Sequence, residues 1–160
     1  MERESRLTIS EGGRALLFDR LVDLDPRSTT EPRPLRTLTR RELRESVRRE
    51  VERLLNTRSP TPAHLLEDRE RTVIDYGVPD LAEFAAQRAE DHQRLTSLFA
   101  RAIAAFEPRL RRVRVRVEGL VEMRRALVVR IDALLVIESV TEPVSFSVVV
   151  RDESVESEGV

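Results

Sequence analysis

The sequence predicts an α+β fold, with N-terminal helices packed on a small, mainly antiparallel β-sheet at the C-terminal end. Two observations carry this prediction. Apolar residues recur at the helical spacing as far as Phe106, and from Arg112 onward they alternate with their neighbours as in strands that bury one face. The links between the alternating segments are short, which favours adjacent antiparallel strands. Helices followed by a sheet are typical of the α+β class.

The composition is that of one globular domain with a strongly charged exterior. The 160 residues are 40% hydrophobic and 36% charged, and the net charge of -1 does not direct the chain to DNA or membranes. The absence of Cys excludes disulfides and thiolate chemistry. No apolar run reaches the roughly 20 residues of a membrane helix. A cytoplasmic location is therefore expected.

Three regions are expected along the chain. Residues 1–13 are predicted to be disordered, residues 14–150 to form a single domain, and residues 151–160 to form an acidic, flexible tail. The domain is predicted to open with a short helix over Arg14 to Leu21. The proline-rich stretch from Asp23 to Pro34 follows as a linker, because proline lacks an amide donor and restricts the residue before it.

The first long helix is predicted from Thr39 to Leu55. Thr39 and Glu42 have the spacing of a capping box, in which each side chain satisfies a free backbone N–H of the first turn. An apolar stripe at the helical period follows, formed by Leu43, Val47, Val51, Leu54 and Leu55. The loop from Asn56 to Pro62 is expected to end this helix.

The second half of the helical region is predicted to be interrupted. Thr72 to Gly77 is predicted as a short strand and turn, and a broken helical region is expected to start at Asp80. Its second part has a strong apolar stripe, formed by Leu95, Leu98, Phe99, Ala102, Ile103 and Phe106. Pro108 marks its end.

Three strands are predicted after Pro108. The first alternates Arg and Val from Arg112 to Glu118, and the links to the following strands are placed around Gly119 and Pro143. Alternation assigns core-facing residues to the second and third strands: Leu127, Val129, Ile131, Ala133, Leu135 and Ile137, then Val144, Phe146, Val148 and Val150.

No arrangement of residues in the sequence points to catalysis. His64 and His92 each stand alone among polar residues, and the acidic run at 67–70 lacks the Gly of a calcium loop. A phosphate-binding loop is absent. With no Trp and one Tyr, the chain offers little for a sugar to stack on, so nothing supports a glycosidase. No enzymatic activity, metal or cofactor is therefore expected.

Basic residues are concentrated just before and within the first predicted strand. Arg112, Arg114 and Arg116 are predicted to project from one face of this strand as a basic ridge. Such a ridge can bind a phosphate backbone, an acidic protein partner, or acids of its own fold. Because no exposed aromatic residue is interleaved for base stacking, a protein partner is favoured. A nucleic-acid-binding module on residues 109–116 is the alternative.

The segment Glu107-Pro108-Arg109 lies where the second long helix gives way to the first strand. Pro108 prevents the helix from continuing, so Glu107 and Arg109 are held at a defined corner. The corner can present a carboxylate and a planar guanidinium to a partner. It can equally be a helix stop with an internal Glu–Arg pair.

Four segments resemble the TssE family of type VI secretion baseplate subunits and the related wedge proteins of contractile phage-tail baseplates. They are L-L-F-D-R-L at 16–21, S-V-R-R-E-V-E-R-L-L-N-T-R at 46–58, D-Y-G-V-P-D-L at 75–81 and E-P-R-L at 107–110. The likeness covers roughly residues 14–137. Glu50, Val51 and Asp75 depart from the family pattern, which has Asp, Leu and Asn at these places.

The resemblance implies a structural subunit that joins the baseplate wedge to the base of the contractile sheath. Its expected partners are TssF and TssG in the wedge, TssK through the wedge, and sheath proteins at the platform. It also makes Glu107, Pro108 and Arg109, together with the arginines at 112, 114 and 116, candidate partner-binding residues. Some descriptions label the family lysozyme-like, but this sequence shows no carbohydrate site. The elements at 16–21 and 54–58 favour a secretion system over an extracellular contractile particle.

Overall fold

The computed structural model of the chain describes residues 12–15, 21, 26–29, 37–66, 69–81, 89–121, 126–137 and 140–151. The order of elements is β1 (Gly12–Arg14), β2 (Thr37–Thr39), α1 (Arg40–Leu55), α2 (Ala63–Leu66), a 3₁₀ helix (Val73–Asp75), α3 (Ala89–Phe106), β3 (Leu110–Val121), β4 (Ala126–Ile137) and β5 (Val140–Arg151). Long helices followed by a three-stranded antiparallel sheet confirm the predicted α+β class.

The C-terminal sheet has unequal edges. β4 is its central strand, with β3 and β5 antiparallel on either side. β5 pairs with β4 in one unbroken register, from Val140 opposite Ile137 to Arg151 opposite Ala126. β3 instead shifts its register between Arg111 and Arg114 and again between Val117 and Gly119. One edge strand is therefore regular, while the other carries two bulges that increase its local twist.

The core lies between one face of this sheet and the stripes of the two long helices. The predicted stripe of α1 is fully buried, and so is that of α3 except for the half-buried Phe106. The sheet contributes the alternating residues predicted for β4, together with Val144, Val148 and Val150 of β5, while Phe146 packs against the core as a partly buried side chain. The two long helices therefore share one core with the sheet.

A small sheet of β1 and β2 lies beside the start of α1. Gly13 pairs with Leu38, and a Cβ atom added at Gly13 would lie 2.5 Å from Cγ2 of Ile137. The backbone of β1 therefore packs directly on the end of β4. The capping box is confirmed: Thr39 N donates to Glu42 Oε2 at 2.7 Å, and Glu42 N donates to Thr39 Oγ1 at 3.3 Å.

Some predictions of local structure are wrong. Arg14 lies in β1, so the predicted helix does not begin there; residues 16–20 of that segment lie outside the described residues. Thr72 to Gly77 contains a 3₁₀ helix in place of a strand, because the carboxylate of Asp75 binds the backbone of Thr72. Gly119 and Pro143 lie inside β3 and β5, because strand pairing continues beyond both.

Several other predictions fall wholly or partly outside the described residues. β1 begins at Gly12, inside the N-terminal segment predicted to be disordered, and residues 1–11 are not described. Most of the linker, residues 82–88 after the helix start expected at Asp80, and the tail beyond Arg151 are also not described. The domain limits at 14 and 150 stay a prediction.

The burial of α3 gives the first testable prediction. Phe99 is fully buried, so Phe99→Ala is expected to lower the free energy of unfolding by about 3–5 kcal/mol, since it removes apolar contacts and leaves a cavity. Ser97→Ala, at an exposed position of the same helix, should change it by less than about 0.5 kcal/mol. Urea denaturation of both variants measures the difference. Equal small effects would show that Phe99 does not belong to the core.

Candidate interaction surface

The corner after α3 is closed by an internal ion pair. Arg109 donates from Nε to Glu107 Oε1 at 2.7 Å and from Nη2 to Glu107 Oε2 at 2.6 Å, which is a bidentate arrangement. The side chains are 6% and 13% exposed for Glu107 and Arg109, so the pair is largely removed from water. The remaining amino group, Nη1 of Arg109, is buried without a hydrogen-bond partner in the described part of the chain.

The backbone of the corner joins the helix to the sheet. Glu107 N donates to Ile103 O at 2.8 Å and completes the last turn of α3, and Leu110 N donates to Glu107 O at 3.0 Å around the exposed Pro108. The carbonyl oxygen of Arg109 then accepts from Val136 N of β4 at 2.8 Å. The corner is thus a turn fixed at both ends, and the internal Glu–Arg pair considered from the sequence is present in this chain.

The bulge at the start of β3 changes which arginines share a face. Arg111 lies opposite Leu134 and Arg114 opposite Asp132, both on the outer face of β4. Arg112 falls in the register shift between them and has a positive φ of 52°. The ridge predicted from Arg112, Arg114 and Arg116 is therefore wrong at Arg112: the outer face carries Arg111, Arg114 and Arg116. Alternation within one strand cannot show such a shift.

Arg116 forms an ion pair with an acid of its own sheet. Its Nη2 lies 3.6 Å from Asp132 Oδ2, and Arg130 reaches both Asp132 at 3.6 Å and Glu118 at 3.3 Å. Ser145 donates to Asp132 at 2.7 Å, and with the two arginines it holds the pKa of this carboxyl below its usual range.

We call the exposed residues Arg111, Arg112 and Arg114 the arginine surface. None of the three forms an ion pair with another residue that the structure describes. The surface follows directly on the Glu107–Arg109 corner along the chain. It therefore combines uncompensated positive charge with a fixed backbone, which are properties that suit recognition of an acidic partner.

A second fixed turn, from Thr72 to Val78, packs on the loop after α1. Val78 N donates to Thr57 O at 2.9 Å, and Ser59 N donates to Val78 O at 2.8 Å. Gly77 has φ of +108°, and a Cβ atom there would lie 2.4 Å from Thr57 O. Only glycine meets both the conformation and the close approach without strain.

Asp75 is fully buried and organises this turn. Its Oδ2 accepts from Thr72 N at 2.9 Å and Thr72 Oγ1 at 3.0 Å, and its Oδ1 accepts from Thr61 Oγ1 at 2.8 Å and from Nη2 of Arg69. These hydrogen bonds, that of the Thr72 backbone first, lower the pKa of Asp75 from 3.8 to about 2. Nothing in the sequence alone pairs Thr61 with Asp75.

The loop after α1 is also tied to the free edge of β5. Asn56 Nδ2 donates to Val149 O at 2.9 Å, and Arg151 N donates to Asn56 Oδ1 at 3.0 Å. The amide of Asn56 thus satisfies the backbone at the end of β5 as a neighbouring strand would. Arg58 also donates to the carbonyl oxygen of Arg151.

An open groove of about 400 Å³ lies beside the start of β5. It is bounded by α1 and β5, and its lining residues are Arg41, Arg44, Glu45, Arg48, Pro143, Val144, Ser145 and Phe146. Arg44, one of the lining residues, forms a bidentate pair with Glu142, at 2.7 and 2.8 Å. The groove is basic at its helix side and apolar along the strand.

The described residues bring together no recognisable metal centre. No group of His, Cys, Asp and Glu among them is arranged to hold a metal ion, and His64 is an exposed residue of α2. In the same part of the chain no helix is long and apolar enough to cross a membrane.

Comparison with known proteins identifies the family. A model of the baseplate wedge protein gp25 family matches residues 41–140, and the chain belongs to this family. The structure also matches a chain from a structure described as "The baseplate complex from the type VI secretion system", with a TM-score of 0.50 and 17% sequence identity, over 69% of this chain and 96% of that one. A search of curated proteins finds no match.

The family match confirms the resemblance noted from the sequence. Residues 41–140 contain all of α1 but its first residue, the turn at Gly77, the corner at Glu107 and two of the three strands of the C-terminal sheet. The solved structure supports the same fold.

The buried corner pair gives a second prediction. Arg109→Ala leaves the buried carboxylate of Glu107 without its partner, so it is expected to lower the free energy of unfolding by about 3–5 kcal/mol. Arg53→Ala removes an ion pair with Glu50 whose arginine is mostly exposed, and should cost less than about 1 kcal/mol. Chemical denaturation measures both. A loss for Arg109→Ala no larger than that for Arg53→Ala would mean that the corner does not need its pair.

Asp75 gives a pH-dependent prediction. Because the pKa of Asp75 is lower in the folded chain than its ordinary 3.8, the unfolded chain binds the proton more tightly. The stability that Asp75 contributes is therefore complete above pH about 4 and is lost as the pH falls towards about 2. Asp75→Asn should make the fall of unfolding free energy over this range shallower, as measured by urea titrations at stepped pH. Glu70→Gln, at an exposed site of the same loop, should leave the slope unchanged; identical slopes in all three proteins would contradict the role of Asp75.

Proposed function

We propose that the chain is a structural wedge subunit of a type VI secretion baseplate, where it acts without catalysis and joins the wedge to the base of the sheath. Membership of the baseplate wedge family supports this role. The observation that carries it furthest is the arginine surface, which adjoins a rigid corner and lacks ion-pair partners among the described residues. TssF and TssG are the proposed direct partners, with TssK attached through the wedge, on the cytoplasmic side of the machine.

The corner is proposed to act in this contact mainly by positioning. Glu107 and Arg109 form an internal ion pair in the isolated chain, while Pro108 between them is exposed. Arg112 and Arg114 follow Pro108 by four and six residues. A fixed corner reduces the conformational entropy that these side chains lose on binding, which raises affinity without adding contacts. Arg116 contributes less, because Asp132 already neutralises part of its charge.

The free edge of β5 supports the proposed contact with the sheath. The bonds from Asn56 to Val149 and Arg151 show which backbone groups point away from β4. In an antiparallel strand every second residue points the same way, so Ser145 and Ser147 present their N–H and C=O groups at the same edge. Pro143 removes one donor from it. An extended segment of a sheath protein can pair with this stretch.

The groove beside β5 gives such a segment room and a preferred charge. Arg41, Arg44 and Arg48 line its helix side, although Arg44 is paired with Glu142 and Arg48 with Glu45 and Glu52. Acidic side chains on the incoming segment would complement the remaining positive charge at Arg41. Strand pairing supplies the affinity in this mode, and the side chains in the groove supply the selectivity.

Nucleic acid is the competing interpretation of the arginine surface. Its exposed guanidinium groups could neutralise phosphates. Phe106, which precedes the corner, and Tyr76 are however packed against each other at 5.2 Å and are not free to stack on bases. The protein partner therefore accounts better for the described surface.

The arginine surface gives the test of this proposal. Arg111→Gln/Arg114→Gln is expected to weaken binding to a purified TssF–TssG complex at least about 10-fold, or about 1.4 kcal/mol, with a smaller effect at high salt. The matched control Arg40→Gln/Arg53→Gln removes the same charge from exposed positions of α1 and should bind as wild type. Isothermal titration calorimetry gives the dissociation constants.

Two results would contradict the proposal. Binding of the wild-type chain to TssF–TssG too weak to measure would remove its main support. Micromolar binding to duplex DNA at about 50 mM salt, with a steep salt dependence that the Arg111→Gln/Arg114→Gln variant loses, would favour the nucleic-acid module instead.

A further inference from the structure

Two large apolar side chains stand almost entirely in solvent on the 3₁₀ helix. Val73 is 88% exposed and Ile74 is 73% exposed. They are consecutive, so they form one protruding patch, which we call the apolar knuckle. Single exposed apolar residues are common on protein surfaces, but two consecutive β-branched side chains of this exposure leave apolar area in water.

The apolar knuckle is held rigidly from both sides. Asp75 N donates to Thr72 O at 2.9 Å and Tyr76 N donates to Val73 O at 3.3 Å, which close the 3₁₀ turn. The buried carboxylate of Asp75 ties the same turn to Thr61 and Arg69. Val73 and Ile74 are therefore fixed at the tip of a turn whose next residue is fully buried. A rigid apolar tip loses little entropy when it enters a pocket.

The apolar knuckle is connected directly to the corner proposed as a contact. Tyr76, two residues after Ile74, packs edge-on against Phe106 with ring centroids 5.2 Å apart. Phe106 is the last residue of α3 and precedes Glu107. The segment that carries the knuckle is thus joined through one aromatic contact to the residue that precedes the corner. We take this contact as the reason to expect one partner for both.

We propose that the apolar knuckle of Val73 and Ile74 inserts into an apolar pocket of a wedge partner protein. This inference rests on the proposed function, since the partner is the one bound at the corner. Arg69 and Glu70 are exposed and precede the pair in the chain, with Arg69 paired to Asp75. An apolar centre with a polar rim of mixed charge is the anatomy of a protein interface. A membrane-binding surface would need a broader apolar face with basic residues around it.

The test replaces the apolar tip without disturbing the core. Val73→Asp/Ile74→Asp is expected to shift the melting temperature by less than about 2 °C, because both side chains are exposed. Its binding to the purified TssF–TssG complex should be weaker by about 30-fold or more, since buried apolar anchors dominate interface energies. The reduction should be similar at about 50 and 300 mM salt, because an apolar contact is not screened.

Two matched variants control for charge and for side-chain identity. Gln93→Asp/Ser97→Asp adds the same two charges at exposed positions of α3 and should bind within about 3-fold of wild type. Val73→Ile/Ile74→Val keeps the apolar character and should also bind within about 3-fold.

Three other outcomes would overturn the inference, and they separate its failure from failure of the proposed function. If the wild-type chain binds TssF–TssG and the double-Asp variant binds equally well, the apolar knuckle is not in the interface, while the proposed function stands. If the wild-type chain does not bind, the proposed function fails and this inference fails with it. Co-sedimentation of the wild type, but not of the variant, with neutral phosphatidylcholine vesicles would assign the knuckle to a membrane instead.

Discussion

The buried ion pair between Glu107 and Arg109 is the interaction on which the rest of the structure depends. It neutralises two charges at the point where the chain leaves α3 and enters the sheet, and neither charge could remain there alone. Because the Arg109 carbonyl accepts from Val136, the same turn also sets where β3 meets β4. The direction of β3, and with it the position of the arginine surface, follows from this corner.

The long elements could be predicted because each buries one continuous face. The stripes of α1 and α3 and the alternation in β4 and β5 are periodic over several turns or residues, and burial enforces that period. β1 and β2 could not be predicted in this way. They are three residues each, and their pairing joins Gly12–Arg14 to Thr37–Thr39 across a long separation in the chain. A strand that exists only through a distant partner leaves no local pattern.

In the candidate site, too, features set by local sequence could be predicted, and features set by distant contacts could not. Pro108 predicted the corner, since the effect of proline on a helix is local. The composition of the outer face was predicted wrongly at Arg112, because the register shift depends on β4 as well as on β3. Val73 and Ile74 are β-branched and favoured a strand, yet the carboxylate of Asp75 captures the Thr72 backbone and prevents it. The contacts of Asn56 and Thr61 involve residues far along the chain, so no spacing indicates them.

The two edges of the C-terminal sheet differ in how well each could pair with an added strand. A strand added beside β3 would meet two register shifts, and β-bulges of this kind disfavour edge-to-edge pairing. A strand added beside β5 would meet a strand with an unbroken register. It could pair only as far as Val149, because Asn56 already binds the backbone of Val149 and Arg151. The sheet can therefore lengthen on one flank and only for a limited span. An assembly that extended the sheet by strand addition would therefore have a fixed direction.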